Sequence, residues 1–293
     1  MDIIGEGTGV EGRFGGLPDE YAHVNAKVVI LPVPFDLTTT YQKGSDKGPA
    51  ALIEASRNLE LYDIETASQP YTVGIYTAPA IKRDSSEEML ASVYDQVKKH
   101  LHHDQFVITL GGEHSISPAP IRAFAEKYPG LSVLQLDAHA DLQMAYEGNP
   151  LSHASAMARV LEIPNIENLI AVGIRSMSHE ELPYLNKKNT YFAHDIWQST
   201  TWIEQVVNSL SDEVYITFDL DAFDPAIMPS TGTPEPGGLE WYPVMQLLKA
   251  VATKKKIVGF DIVELCPNPA NKAPDFLAAK LVYKLLSYIF SRH

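Results

Sequence analysis

The chain has 293 residues, of which 45% are hydrophobic and 20% charged, and its formal net charge is −14. This composition is typical of a soluble globular enzyme and excludes a disordered or fibrous chain. The acidic charge argues against a nucleic-acid partner, which needs clustered positive charge, and is compatible with a small cationic substrate.

Apolar segments rich in Val and Ile recur along the chain and predict eight β-strands. Several show no alternation of polar and apolar residues, which indicates burial on both faces, as in a parallel sheet covered by helices. The predicted strands are 27–32, 72–76, 105–110, 131–136, 168–174, 190–193, 213–220 and 256–263.

Segments with helical periodicity lie between these strands. They cover 49–61, 85–102, 116–128, 152–161, 180–186, 201–210, 241–253 and 273–291. The alternating order predicts one α/β domain over residues 1–293 with a mainly parallel sheet. No repeat or linker divides the chain, and the Gly-rich residues 1–25 are expected to form an irregular N-terminal extension.

The cysteine content and the apolar segments bear on the cellular compartment. The single cysteine, Cys266, excludes an internal disulfide framework and fits a reducing compartment. No apolar run approaches the ~20 residues of a membrane span, and the N-terminal residues lack the pattern of a signal peptide. We therefore expect a cytoplasmic protein without a membrane partner.

Polar residues follow the strand predicted at 105–110. In open α/β sheets, ligands bind beyond the carboxyl ends of the strands. Here Gly111 and Gly112 permit a tight turn that places Glu113 and His114 over the sheet edge. Glu113 is expected to be either a partner of a ligand residue or an exposed side chain.

Carboxylates and a further histidine follow two other strands. After 131–136 come Asp137, His139 and Asp141, which an extended backbone would direct to one side, and the strand at 213–220 carries Asp219 with Asp221 just beyond it. Partly buried carboxylates gathered together are costly unless a cation compensates them. The three strand ends therefore predict a divalent metal site.

The predicted ligand set contains two imidazoles, four carboxylates and no thiolate. This set favours Mn²⁺, Fe²⁺, Co²⁺, Ni²⁺ or Zn²⁺ over a cysteine-type structural zinc site. Six ligands suit two ions that share carboxylates at ~3.5–4 Å and activate a bridging water. A lone Asp-x-His or Asp-x-Asp would more often cap a loop, but capping does not account for three such strand ends. The predicted ligands are His114, Asp137, His139, Asp141, Asp219 and Asp221.

The remaining histidines lack such a context. We expect these histidines at the surface. Cys266 is expected to be a small buried side chain of the core. The histidines concerned are His23, His100, His102, His103, His179 and His293.

Several motifs resemble those of the ureohydrolases, the arginase/agmatinase family. They occur in the family's order and run from about Val28 to the C-terminus. The motifs are Gly111-Gly-Glu-His-Ser, Asp137-Ala-His-Ala-Asp, Ser152-His-Ala-Ser, Phe218-Asp-Leu-Asp-Ala-Phe-Asp-Pro, Thr231-Gly-Thr-Pro-Glu-Pro-Gly-Gly and Asp261-Ile-Val-Glu.

The resemblance implies a three-layer α/β/α fold with an eight-stranded parallel sheet and two Mn²⁺ per chain. Ni²⁺, Co²⁺ or Zn²⁺ are alternative ions, and a homotrimer or homohexamer is the expected assembly. Asp137 and Asp219 would bridge the ions. One ion would also take His114 and Asp141, and the other would take His139 and Asp221.

The family also implies hydrolysis of a guanidino group to urea and an amine. Glu264 would pair with the guanidinium group, and Thr233 would offer it a hydroxyl. Asp141 would relay a proton, while His153 would bind substrate and exchange protons with solvent. The plain alternatives are a capping or surface role for Glu264, a helix-terminal histidine without chemistry at position 153, and a loop-forming role for Thr233.

The Ser152 and Thr231 motifs resemble those of agmatinases more than those of arginases. The sequence therefore predicts hydrolysis of agmatine to putrescine and urea. Guanidinobutyrate, guanidinopropionate, arginine, guanidine and formimidoylglutamate are alternative substrates. A catalytically silent metal-binding relative that acts through a protein partner, and a deacetylase with a single zinc ion, are alternatives of other kinds. Arg175 is expected near a substrate carboxylate, at a subunit contact or in support of the fold.

Overall fold

The computed structural model describes residues 12–291. Eight strands form one sheet: β1 Val28–Val33, β2 Ile75–Thr77, β3 Phe106–Gly111, β4 Leu131–Leu136, β5 Ile166–Ile174, β6 Thr190–Phe192, β7 Glu213–Asp219 and β8 Lys256–Val263. Their order is β2-β1-β3-β8-β7-β4-β5-β6, and every neighbouring pair is parallel. Each predicted strand overlaps an observed one, although residues 72–73 of the second lie in the 3-10 turn Pro70–Val73 and that strand begins only at Ile75.

Helices cover both faces of the sheet. They are α1 Gly48–Ser56, α2 Ser86–His102, α3 Pro118–Lys127, α4 Ala156–Leu161, α5 Ala193–Ile196, α6 Thr201–Ser209, α7 Trp241–Lys254 and α8 Ala273–Phe290. One apolar cluster packs Ile108 of the sheet against α1, α6, α7 and α8. The other packs Val107 against α2, α3 and α4. The three-layer α/β/α fold is thereby confirmed.

Three helix predictions differ from the structure, and the first of these, at 49–61, ends already at Ser56. The helix predicted at 180–186 is wrong, because only the 3-10 turn His179–Glu181 forms there. Pro183 follows that turn and has no N–H to continue a helical hydrogen-bond ladder. The helix predicted at 152–161 begins later, at Ala156, after the 3-10 turn His153–Ser155.

The described part of the N-terminal extension is irregular but packed. Phe14 and Leu17 are buried in the core. The backbone N–H of Phe14 donates to Thr77 Oγ1 at 2.9 Å, and that of Gly15 donates to Ser56 Oγ at 2.8 Å. Residues 12–25 therefore close one edge of the fold, while residues 1–11 lie outside the described residues. Within 12–291, no helix has the length and apolarity needed to cross a membrane.

The sheet register brings four central strand ends to one level. Leu136 of β4 pairs with Phe218 of β7, and Asp219 of β7 pairs with Val263 of β8. On the other side of β8, Leu110 of β3 pairs with Ile262. The polar residues that follow β3, β4, β7 and β8 therefore emerge side by side at the carboxyl edge of the sheet.

Candidate metal centre

His114 lies at the middle of a buried group of carboxylates. It begins the 3-10 turn after β3 and is 1% exposed. Its Nδ1 lies 3.1 Å from Asp137 Oδ2, 3.0 Å from Asp141 Oδ2 and 3.4 Å from Asp219 Oδ2. Among the described residues this Nδ1 has no hydrogen-bond partner. A buried nitrogen without a partner, facing three carboxylates, fits a position beside a cation.

His139 forms the centre of a second, adjoining group. Its Nδ1 lies 2.9 Å from Asp221 Oδ2 and 3.7 Å from Asp137 Oδ1. Ligand atoms of Asp137, His139 and Asp221 all lie within 4.8 Å of one another, as do those of His114, Asp137 and Asp219. Asp137 belongs to both groups and is completely buried. The structure therefore brings all six predicted ligands together, around two points that share Asp137. Asp219, the other bridge that the resemblance implies, belongs to the His114 group.

The electrostatics of the group favour a bound cation. Burial, together with the charges of Asp141 and Asp221, raises the pKa of Asp137 to about 7. Burial likewise raises the pKa of Asp219 well above its ordinary value. At His139 burial opposes the charged form, but Asp221 and the other carboxylates raise its pKa to about 11. The carboxylates thus carry more negative charge than the buried site tolerates alone, and divalent ions would compensate it.

Strands β7 and β8 set the tautomer of His114. Its Nε2 lies 2.9 Å from Thr217 Oγ1, and Thr217 donates its hydroxyl proton to Asp261 Oδ1 at 2.8 Å. The other oxygen of Asp261 accepts from Tyr215 at 2.9 Å. Because Thr217 has given away its only proton, it accepts from a protonated Nε2. Nδ1 is then unprotonated and available as a ligand, as is usual for histidines with an outer hydrogen-bond partner.

The segment from Asp137 to Asp141 does not continue β4 as an extended strand. Asp141 joins the group as predicted, but from a left-handed backbone with a φ of 53° and not from an extended one. This left-handed turn is uncommon for a residue with a side chain. The carbonyl of Asp141 accepts from the backbone N–H groups of Met157 and Ala158, both at 3.0 Å, and these hydrogen bonds anchor the turn to α4. The turn brings the Asp141 carboxylate back towards His114.

Glu264 follows β8 in a similar left-handed conformation, with a φ of 66°. Its Oε1 accepts from the backbone N–H of His114 at 2.7 Å. Burial raises its pKa well above the ordinary value, and the charge of Glu113 raises it further. This carboxylate is thus held beside the metal ligands in surroundings that favour a cationic partner.

A cavity of about 160 Å³ opens over the ligand residues. Its walls include all four side chains to which the resemblance assigns catalytic or substrate roles: Asp141, His153, Thr233 and Glu264. No lysine or arginine is among the residues that line it in the described part of the chain. A larger cavity of about 810 Å³, beside Arg175 and Trp197, contains none of the six predicted ligands.

Arg175 supports the fold and does not line the smaller cavity. Its guanidinium donates to the backbone carbonyls of Asp221 and Glu235, both at 2.7 Å, and to further carbonyls nearby. It therefore ties the residues after β7 to the loop that follows.

Glu113 was expected to be either a partner of a ligand residue or an exposed side chain. It is completely buried, which excludes the second expectation.

The other histidine predictions are mostly confirmed. His23, His102, His103 and His179 are exposed. His100 was expected at the surface, and this is wrong: it is buried on α2, where its Nδ1 lies 2.9 Å from Gln105 Oε1. Cys266 is buried, as predicted, and His293 lies outside the described residues.

The model of the Arginase family matches residues 26–287 of this sequence. The chain belongs to the arginase family. It is 39% identical to an N(1)-aminopropylagmatine ureohydrolase of Thermus thermophilus, over 88% of each chain. It is 34% identical to an agmatinase of Bacillus cereus, over 89% of this chain and 91% of the relative.

Solved structures of the arginase family share the fold. The agmatine ureohydrolase of Thermoplasma volcanium superimposes with a TM-score of 0.85 at 30% identity, over 97% of this chain and 95% of the other. The ligand groups described above thus belong to a metal-dependent hydrolase of the ureohydrolase type, which acts on C–N bonds of linear amidines.

Proposed function

We propose that this arginase-family hydrolase cleaves the guanidino group of agmatine to give urea and putrescine. The observation that carries the proposal is the wall of the cavity over the metal ligands, which has carboxylates but no described lysine or arginine. The carboxylate tail of arginine or guanidinobutyrate would find no cationic partner there. The tail of agmatine carries no carboxylate and therefore needs no cationic partner there.

Glu264 is the residue that would hold the guanidinium group. A planar guanidinium matches a carboxylate through two parallel hydrogen bonds. The His114 N–H occupies one acceptor position of Oε1 and leaves the remaining positions of both oxygens for the substrate. Burial raises the pKa of this carboxyl and so disfavours its ionised form. A bound guanidinium cation would stabilise that form.

Two Mn²⁺ ions are the proposed cofactors, although the oxygen and nitrogen ligands also suit Ni²⁺, Co²⁺ or Zn²⁺. When bound, the ions supply activation of water for attack on the guanidinium carbon. Asp137 and Asp219 would hold the two positions together. Asp141 would take the proton released on attack, and His153 would exchange protons between the cavity and solvent.

N(1)-aminopropylagmatine is a second candidate substrate. The Thermus thermophilus relative carrying that name is 39% identical, against 34% for the Bacillus cereus agmatinase. The mouth of the cavity also carries two aromatic side chains, Tyr146 and the 78%-exposed Tyr41. Such rings favour a second ammonium group through cation–π contacts.

A urea-release assay on Mn²⁺-loaded protein tests the proposal. The panel comprises agmatine, N(1)-aminopropylagmatine, guanidinobutyrate, guanidinopropionate, arginine, formimidoylglutamate and guanidine. We expect kcat/KM for agmatine to exceed that for every carboxylate-bearing compound by about a hundredfold, roughly 3 kcal/mol of discrimination. A higher kcat/KM for N(1)-aminopropylagmatine would select the second candidate. Comparable values for arginine or guanidinobutyrate would contradict the proposal.

A further inference from the structure

Glu113 ties the loop after β1 to the metal centre. It precedes the ligand His114 and is completely buried. Its carboxylate accepts from the backbone N–H groups of Thr38 and Thr39, at 2.7 and 3.0 Å, and from their hydroxyls, at 2.8 and 3.2 Å. Ser115 Oγ donates a fifth hydrogen bond at 2.6 Å. The loop containing the two threonines is thus fixed by a single buried side chain.

The hydroxyl of Thr38 links this carboxylate to His153. A hydroxyl has one proton to donate and two lone pairs to accept with. Thr38 donates its proton to Glu113 Oε1. It accepts from the backbone N–H of His153 at 3.0 Å, and its oxygen lies 3.1 Å from His153 Nδ1. Because the only hydroxyl proton is already used, Nδ1 must carry the proton of that second contact.

This arrangement determines which ring nitrogen of His153 is free. With Nδ1 protonated, the neutral imidazole has its lone pair on Nε2. His153 lines the cavity over the metal ligands, and the ring of Tyr146 packs against it at 5.6 Å between centroids. One threonine oxygen therefore holds both the main chain and the ring of this histidine. Thr39 contacts the same carboxylate, and no hydrogen bond joins it to His153.

We propose that Thr38, held by Glu113, is a positioning residue that fixes the tautomer and orientation of His153, so that Nε2 exchanges protons in the cavity. The proposal rests on the proposed function, in which His153 carries protons. After Nε2 takes up a proton, Nδ1–H still points through Thr38 to a carboxylate, which stabilises the imidazolium. Hydrolase triads hold their histidine in the correct tautomer by a similar hydrogen bond at Nδ1.

A double-mutant cycle tests the coupling. Urea release from agmatine would be measured for Mn²⁺-loaded wild type, T38V, H153A and the double variant. T38V should lower kcat by about tenfold or more and change KM by less than about twofold, because Glu264, which holds the guanidinium group, is left in place. In the H153A background, T38V should change kcat by less than about twofold. T38S, which keeps the hydroxyl, should restore kcat.

T39V is the matched control. It removes a hydroxyl that bonds to the same carboxylate from the same loop. In the T39V background, H153A should still lower kcat by the full factor seen in wild type. If T38V and H153A lowered kcat independently of each other, the positioning role would be overturned. The same would follow if T39V reduced the effect of H153A as much as T38V does.

Histidine-selective ¹⁵N NMR of the Zn²⁺-loaded protein gives a readout that needs no activity. The His153 signals, assigned from H153A, should show a protonated Nδ1 and an unprotonated Nε2 in wild type and T39V, with this preference lost in T38V. A protonated Nε2 in neutral wild-type His153 would overturn the inference. Absence of urea release with every guanidino compound, together with the expected tautomer, would count against the proposed function alone.

Discussion

Asp137 faces both histidines of the metal centre through different oxygens. Oδ2 lies 3.1 Å from His114 Nδ1, and Oδ1 lies 3.7 Å from His139 Nδ1. Removing this carboxylate should therefore weaken both metal positions, while removing His139 should weaken one. We expect about two metal equivalents per chain in wild type, fewer than about 0.2 in D137A and about one in H139A, with activity falling at least about a thousandfold in D137A.

Elemental analysis after gel filtration measures these metal contents. H179A is the control, since that exposed histidine lies outside both groups, and it should keep two equivalents. Retention of two equivalents by D137A would contradict a shared carboxylate. A wild type that binds no metal and is no more stable than D137A would favour the catalytically silent alternative.

The sequence predicts the metal ligands better than it predicts the residues around them. The ligands follow apolar strands in short motifs, so a local pattern reveals them. Thr38 contacts Glu113 and His153 across 75 and 115 positions of the chain, and Thr217 contacts His114 across 103. Threonines occur throughout the sequence without such partners, so only the folded arrangement distinguishes these two.

At the scale of elements, the end of β3 packs tightly between two neighbouring segments. The N–H of Gly112 donates to Val33 O at 2.9 Å, and its carbonyl accepts from Glu264 N at 2.7 Å. A Cβ at this position would overlap the carbonyl oxygen of Phe35. G112A should therefore push the loop after β1 away from the sheet and lower the free energy of unfolding by about 3 kcal/mol.

Urea denaturation of G112A and G130A measures this cost. Gly130 has a φ of 85° but nothing within 4 Å of an added Cβ. G130A should therefore cost only about 1 kcal/mol, from backbone strain. An equal cost for the two variants would show that close packing at Gly112 is unimportant. A wild-type stability for G112A would show the same.

Buried strands are easier to predict here than short helical turns. A strand covered on both faces needs a continuous apolar run, and the runs that predict β1 and β3 prove to be fully buried strands. The 3-10 turns His114–Ile116 and His153–Ser155 have no comparable periodicity. They depend on contacts made after folding, such as the bond from His153 N to Thr38 Oγ1. The same reasoning explains the wrong helix at 180–186, where periodicity was present but Pro183 prevented continuation.

Across the whole molecule, the acidic charge is not spread evenly between surface and core. Four carboxylates and two imidazoles meet at the centre of the sheet edge, in a protein whose net charge is already −14. Their folded-state pKa values differ in direction. Burial raises the pKa of Asp137 and of Asp219. Burial also acts to raise the pKa of Asp221, but the charge of His139 and hydrogen bonds from neighbouring groups together lower it to about 2. The fold therefore retains charges that bound cations must offset.

Metal removal should accordingly destabilise the protein more at pH 7 than at pH 5. The pKa of Asp137 is raised from 3.8 to about 7 in the fold. Its protonated form therefore stabilises the metal-free fold at low pH, and this contribution is lost as the pH rises through about 7. His139, with a pKa of about 11, does not titrate in this window. Bound ions replace the lost proton, so we expect chelation to lower Tm by about 5–10 °C at pH 7 and by less at pH 5. Differential scanning calorimetry with and without chelator measures the two decreases in Tm. Decreases of equal size at both pH values would contradict this origin of the stability.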